Sequence, residues 1–319
     1  MPALQQPPAH VCGFDVAKDS ITAFDTATGR VTTFPNRSAS IRKALTGLSA
    51  DCLCVLEPTG GHERLLVGEL TAAGLACHRA DTVKVKAFSR SFGRLAKTDA
   101  IDAQALARYG EERWKTLALV TPADETQSTL ASLNARRQEL LALKVAEQNR
   151  SKIPGEGPGI AIIRRSCQVI LRAILHEIEA IDAAIEALVD ASPQLARRIE
   201  VCCSLPGVGK RTAITLAATM PELGTMDRRQ AASLAGVAPH PKDSGTLKGY
   251  RRMHGGRSTV KPALFMAALS ASRANGPLKE VYQRLINNGK KPILAISALM
   301  RKIIVILNVR IRQNAQQQS

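Results

Sequence analysis

Hydrophobic and polar positions change period repeatedly along the first third of the chain. Residues 11 to 16, 20 to 25 and 30 to 34 form short apolar or alternating runs, which predict three strands, the last two joined by a turn at Thr28 and Gly29. The period lengthens from 38 to 48, predicting a helix with Ser38 as its N-cap, and shortens again for a strand at 52 to 57. A helix starting near Gly61 and a strand near 75 to 80 complete a mixed α/β layer. From residue 121 the pattern is almost purely helical. Ile174, Ile178, Ile181, Ile185 and Leu188 step by four, three, four and three, the seam of a coiled coil or a long helical hairpin. A stripe this narrow needs a partner helix, either within the chain or on a second copy. PGEGPG at 154 to 159 separates two helices or forms an exposed loop.

A third pattern begins at VCCSLPGVGKRTAITLAATM. Gly207 and Gly209 permit a tight turn, and the helix that follows would open with free amides and Lys210 toward a phosphate. This predicts a helix-hairpin-helix, with an ordinary glycine-containing turn as the competing reading. A P-loop is excluded, because Ser204 stands where glycine is needed and Arg211 where serine or threonine is needed. The expected organisation is an α/β domain over 1–115, a helical or coiled-coil region over 116–200, and a mainly helical basic domain over 201–319.

Composition sharpens this picture. With 319 residues, 45% hydrophobic and 22% charged, the chain can bury a sizeable core and is no disordered tail. Its formal net charge is +17, unevenly distributed: from residue 240 to 319, fifteen Lys or Arg oppose only Asp243 and Glu280, a net of +13 in 80 residues. Such a surface attracts a polyanion, with nucleic acid the expected partner; a solvated basic face and an acidic membrane surface are the alternatives. The ten aromatic residues are too few for base stacking to dominate binding. Seven cysteines without a CxxC pair or zinc-like histidine spacing read as reduced core thiols. The first residues lack the charge and apolar core of a secretion signal, and no apolar run approaches a membrane span, so a cytoplasmic location and no membrane partner are expected.

The candidate chemistry lies in four acids: Asp15 in VCGFDVAK, Glu57 in CLCVLEPTGG, and Asp99 with Asp102 in KTDAIDA. Aspartate is depleted from strands and costly when half buried, so Asp15 calls for a partner. Glu57 ends its strand before Pro58, while Asp99 and Asp102, three apart, share one helix face. Read singly, each has an ordinary explanation; together they form a hard oxygen donor set suited to Mg²⁺ or Mn²⁺ and to phosphodiester chemistry. Just upstream of Asp99, Lys84, Lys86, Arg90, Arg94 and Lys97 occur without an intervening acid and could hold a phosphate backbone.

With LPGVGKRTA and AGVAPHPKDSGTLKGYRRMHGG, these motifs in this order resemble the DEDD-type insertion-sequence transposases and the related Piv-type DNA invertases. The resemblance covers about residues 11 to 310. It implies a RuvC-like, ribonuclease H-like first domain whose four acids bind metal, a helical middle that joins protomers into a dimer or tetramer, and a C-terminal domain with a nucleophilic serine. The matching serine is Ser244, implied to form a transient phosphoserine link to double-stranded donor and target DNA. A structured guide RNA from the element is also implied. Independently of the family, Ser244 lies in a loop-like segment followed by the cations Lys248, Arg251, Arg252 and Arg257, but no serine–histidine–aspartate arrangement is forced by spacing. His240 and His254 are minor candidates as proton carriers. An RNA-independent invertase and a non-catalytic nucleic-acid-binding protein are the competing functions.

Overall fold

The computed structural model describes residues 4–92, 98–120, 124–241, 249 and 251–317. The chain divides into two compact units, Met1–Ala123 and Asp124–Ser319. The first contains β1 (His10–Val16), β2 (Ser20–Asp25), β3 (Arg30–Pro35), α1 (Ser38–Leu45), β4 (Cys52–Leu56), α2 (Arg64–Ala72), β5 (Ala76–Arg79), α3 (Thr82–Ser91) and α4 (Asp99–Arg113). One local prediction differs. Arg37, not Ser38, is the N-cap of α1, because the turn leaving β3, in which Arg37 N–H donates to the Pro35 carbonyl at 2.8 Å, places Ser38 already inside the helix.

The five strands order β3-β2-β1-β4-β5, antiparallel through β3, β2 and β1 and parallel through β1, β4 and β5. Strand alternation divides β1 between two apolar layers. Cys12, Phe14 and Val16 pack with Ile41, Leu45, Leu66 and Leu70 of α1 and α2, while Val11 packs with Phe88, Leu106 and Ala107 of α3 and α4. Asp15 shares the parity of Val11 and Gly13, so it belongs to the α4 side. Full burial of a side chain such as Leu53 or Leu70 contributes about 1.5–3 kcal/mol to this layer. All seven cysteines are free. Burial pushes the Cys77 thiol up to about 12 and that of Cys202 up to about 11, keeping both protonated and apolar at neutral pH.

The second unit opens with α5 (Glu125–Arg150) and α6 (Pro158–Asp190), which pack together as a hairpin. Ile174 and Ile178 of the predicted seam are buried with Leu140 of α5, and Ile185 joins the core containing Leu130. The seam therefore finds its partner within the chain. The helices α7 (Pro193–Cys203), α8 (Lys210–Thr219) and α9 (Arg228–Leu234) follow, then the short strands β6 (Pro239–His240) and β7 (Arg252–Met253), and α10 (Val260–Ala271), α11 (Pro277–Asn287) and α12 (Pro292–Gln316). By length and composition α12 could cross a membrane, contrary to the sequence expectation. Its Leu299, Ile303, Ile304 and Leu307 instead form the centre of this unit's core with Leu216, Met220 and Leu264. Its buried Asn308 is satisfied, accepting from Gly224 N–H at 2.8 Å and donating to the Met226 carbonyl at 2.6 Å.

Candidate active site

Within the first unit, Asp15, Glu57, Asp99 and Asp102 line one cleft of about 560 Å³, together with Lys86, Arg90 and Arg108. Three chain segments thus deliver four carboxylates to one place. The approach of α4 to β1 depends on the absence of a side chain at Gly13. A Cβ there would lie 2.1 Å from the Ala103 carbonyl oxygen and 2.5 Å from the Ala107 amide nitrogen. Reciprocally, a Cβ on Gly110 would meet Val11 Cγ1 at 2.6 Å and Val55 Cγ2 at 2.8 Å. Asp15, two residues beyond Gly13, and Asp102, one before Ala103, are carried together by this contact. Thr98 caps α4 by accepting from Ile101 N–H at 3.3 Å, and the acids of its first turn suit the positive end of the helix dipole.

Glu57 follows the last residue of β4, where Pro58 stops the strand. The loop beyond it is held from beneath by Glu63, which is 4% exposed. Glu63 Oε2 accepts from Thr59 N–H at 3.0 Å and Gly61 N–H at 2.9 Å. Burial alone would raise its pKa, but these bonds and nearby Arg79 hold the carboxyl below the usual range. Glu57 shifts the other way. Burial raises its carboxyl above the usual value, and Asp102 and Asp15 add repulsion, against the opposing pull of Lys86. The cleft thus concentrates negative charge that its own cations do not fully offset. Among the described residues no three His, Cys, Asp or Glu side chains are gathered closely enough to share one ion as they stand. The donor chemistry of the four carboxylates that line the cleft is that of a hard divalent cation site.

The basic stretch before α4 is divided by helical periodicity. Lys86 and Arg90, four apart on α3, line the cleft, whereas Lys84 does not. Arg94 and Lys97 lie outside the described residues. Arg108 was not anticipated from the sequence. It follows Ile101 and Ala105 at helical spacing along the cleft side of α4, a stripe recognisable only once that face is known.

In the second unit, α7 and α8 are joined through a turn in which Gly207 has φ of 93° and Gly209 caps α8. A Cβ on Gly207 would also collide with the Ala271 backbone at 2.6 Å, so this turn is seated tightly against α10. Lys210 pairs with Glu186 at 3.0 Å, both half exposed, an ion pair weak enough to exchange for a phosphate. Ser244 and Lys248 lie outside the described residues; the short ladder of β6 and β7, which flanks them in sequence, is described. Pro239 pairs with Met253 and His240 with Arg252, and the rings of His240 and His254 lie 4.4 Å apart. Arg251 and Arg252 are exposed. Arg257, by contrast, is engaged in a structural clamp. Its guanidinium makes a bidentate pair with Glu222 at 2.6 and 2.7 Å and also donates to the Thr219 carbonyl, which removes it from the free phosphate-binding cations.

Residues 12–152 match a family model described as a transposase, of the DEDD type, and residues 200–283 match one described as the transposase IS116/IS110/IS902 family. The chain is 28% identical over 235 residues to the pilin gene-inverting protein of Moraxella bovis, covering 72% of this chain and 70% of that protein. It is 34% identical over 163 residues to the 43.6 kDa protein of insertion element IS110 from Streptomyces coelicolor, covering 50% of this chain and 39% of the relative. A 42 kDa protein of IS900 from Mycobacterium paratuberculosis is 28% identical over 57% of this chain and 45% of its own length.

Proposed function

This chain belongs to the IS116/IS110/IS902 family of transposases, and from that premise we propose that it is a metal-dependent recombinase that cuts and exchanges strands of double-stranded donor and target DNA. The observation that carries the proposal is the convergence of Asp15, Glu57, Asp99 and Asp102 on one cleft edged by Lys86, Arg90 and Arg108. In this reading the first unit is RuvC-like, and its four carboxylates hold Mg²⁺ or Mn²⁺. A bound cation of this kind supplies Lewis-acid stabilisation of charge developing on a phosphodiester oxygen. Lys86 and Arg90 position the phosphate backbone beside the carboxylates.

Ser244 is the nucleophile. Its Oγ bonds to phosphorus as the P–O bond to a deoxyribose breaks; the proton lost from the serine hydroxyl passes through solvent water to the departing sugar oxygen, and the phosphoserine link conserves the bond energy for rejoining to another strand. Arg251 and Arg252, which follow it in sequence and are exposed, offset the negative charge of the reacting phosphate. The α7–α8 turn acts as a helix-hairpin-helix that grips the DNA backbone without reading sequence. An RNA transcribed from the element guides the enzyme by pairing with donor and target, and a dimer or tetramer, acting in the cytoplasm, brings the two DNA sites together. The 28% identity to a pilin gene-inverting protein over 72% of the chain favours a second reading, DNA inversion, which in this proposal runs without a guide RNA.

Recombination of a mini-element in cells tests the catalytic reading. Asp15→Asn and Ser244→Ala should each lower recombination roughly a hundredfold or more, and undiminished recombination in both would overturn it. Sequencing of nuclease-protected RNA purified with the protein from cells carrying the whole element should find one discrete element-encoded species. Its absence would favour the inversion reading.

A further inference from the structure

We propose that Phe92 is a stacking platform for an unpaired nucleobase of the strand held in the acidic cleft, an inference that rests on the recombinase reading of that cleft. Phe92 lines the same cleft as the four carboxylates, at the end of α3, and is 46% exposed. Its ring is buttressed: it meets Phe88 edge to face at 5.1 Å and 76°, and Phe88 in turn packs against Tyr109 at 5.4 Å. The Arg108 guanidinium lies over the Phe92 ring, 5.7 Å from its centroid, so a base would stack on the opposite face. Among the described residues Phe92 is the only aromatic among the exposed large hydrophobic side chains.

An isolated exposed phenyl needs no explanation by itself. A rigidly backed one, flanked by a planar cation and placed beside Lys86, Arg90 and a carboxylate cluster, matches a nucleotide part by part. The cations suit the phosphate, and the opposite face of the phenyl suits the flat face of the base. An aliphatic peptide side chain would use the phenyl but leave the surrounding charges without a counterpart. The base must be unpaired and unstacked, because within a duplex both of its faces are covered by neighbouring bases. Phe92 would hold the strand locally open beside the reacting phosphate. The scarcity of aromatics in the sequence still holds, and stacking is concentrated at one position.

The test measures binding of the full chain, at fixed salt, to short oligothymidylate, oligouridylate and an abasic deoxyribose strand with the same number of phosphates. The wild type should favour a base-bearing strand over the abasic one by about tenfold. Phe92→Ala should bring that ratio close to one while leaving abasic binding unchanged, whereas Phe92→Trp should preserve it. In Phe92→Trp the added indole fluorescence should change with the base-bearing strand and not with the abasic one, a readout that a purely structural ring would not produce. A larger ratio for thymidylate assigns the base to DNA, and a larger ratio for uridylate assigns it to RNA. A wild-type ratio of one, or a ratio unaltered in a folded Phe92→Ala, overturns the proposal. Either result is distinguishable from failure of the recombinase reading, which would appear as undiminished recombination in both Asp15→Asn and Ser244→Ala.

Discussion

Replacing Gly13 by alanine tests whether the contact between α4 and β1 builds the candidate site. The added methyl carbon would lie 2.1 Å from the Ala103 carbonyl oxygen and 2.5 Å from the Ala107 nitrogen. An ordinary carbon–oxygen contact is about 3.3 Å, so one element must retreat by roughly 1 Å. Both obstacles are backbone atoms of one helix, and no side-chain rotation can relieve them. Overpacking of this kind costs about 1–3 kcal/mol. Because α4 also seals Gly110 against Val11 and Val55, we place the loss near about 3 kcal/mol, or roughly 10 °C in melting temperature. The same retreat shifts Asp99 and Asp102 relative to Asp15 and Glu57, and a 1 Å misplacement costs about a hundredfold in rate. Circular dichroism melts measure the first effect; recombination at a temperature where the variant remains folded measures the second. If Gly13→Ala melted like the wild type and recombined at the wild-type rate, the close-approach argument would be refuted.

Other perturbations have equally definite signs. Burial first, and then repulsion from Asp102 and Asp15, raise the Glu57 carboxyl, so the folded state binds its proton more tightly and this group's contribution to stability falls as pH rises from the unfolded carboxylate value through the folded one. Glu57→Gln should therefore raise the melting temperature at neutral pH while abolishing recombination, and Mg²⁺ should stabilise the wild type more than the variant; melts across pH with and without Mg²⁺ that show the opposite differences would exclude this account. For Glu222, burial alone would raise the carboxyl but the Arg257 pair holds it low, so its stabilisation is present above the ordinary carboxylate value and lost as pH falls through the folded one. Glu222→Ala should cost about 2 kcal/mol at pH 7, shrinking in acid, as urea titrations at the two conditions can establish. Ile178→Ala, in a seam satisfied within the chain, should cost about 2–4 kcal/mol with no dependence on protein concentration. A loss that disappears at high concentration would instead place the seam between protomers.

Much of the first unit was legible in the sequence, because strand and helix periods alternate and because four acids at element ends together make a hard oxygen donor set. Asp15, Glu57, Asp99 and Asp102 were recognisable as types at element ends, and the split of the helical run around PGEGPG was equally visible. The convergence of the four acids was an expectation from their types, but the packing that brings them to one cleft was not legible, since it follows from two glycines that let α4 approach the sheet at a distance no periodicity encodes. Arg108 and Phe92 carried no signal of their own; α4 and the end of α3 had first to be packed before their cleft side existed. The basic residues show the same limit. Arg257 looked like one more cation for nucleic acid until its bidentate pair with Glu222 was seen, and α12 matches a membrane span in composition while serving as a core helix. Local pattern by itself determined the alternation of strands and helices in the first unit and the helical character of the second, and it marked the candidate residues, because backbone preference and amphipathic period act over a few residues. Tertiary structure alone decided which carboxylates meet, which cations remain free and which helix completes the seam, because those outcomes depend on long-range packing and on charge partners distant in sequence.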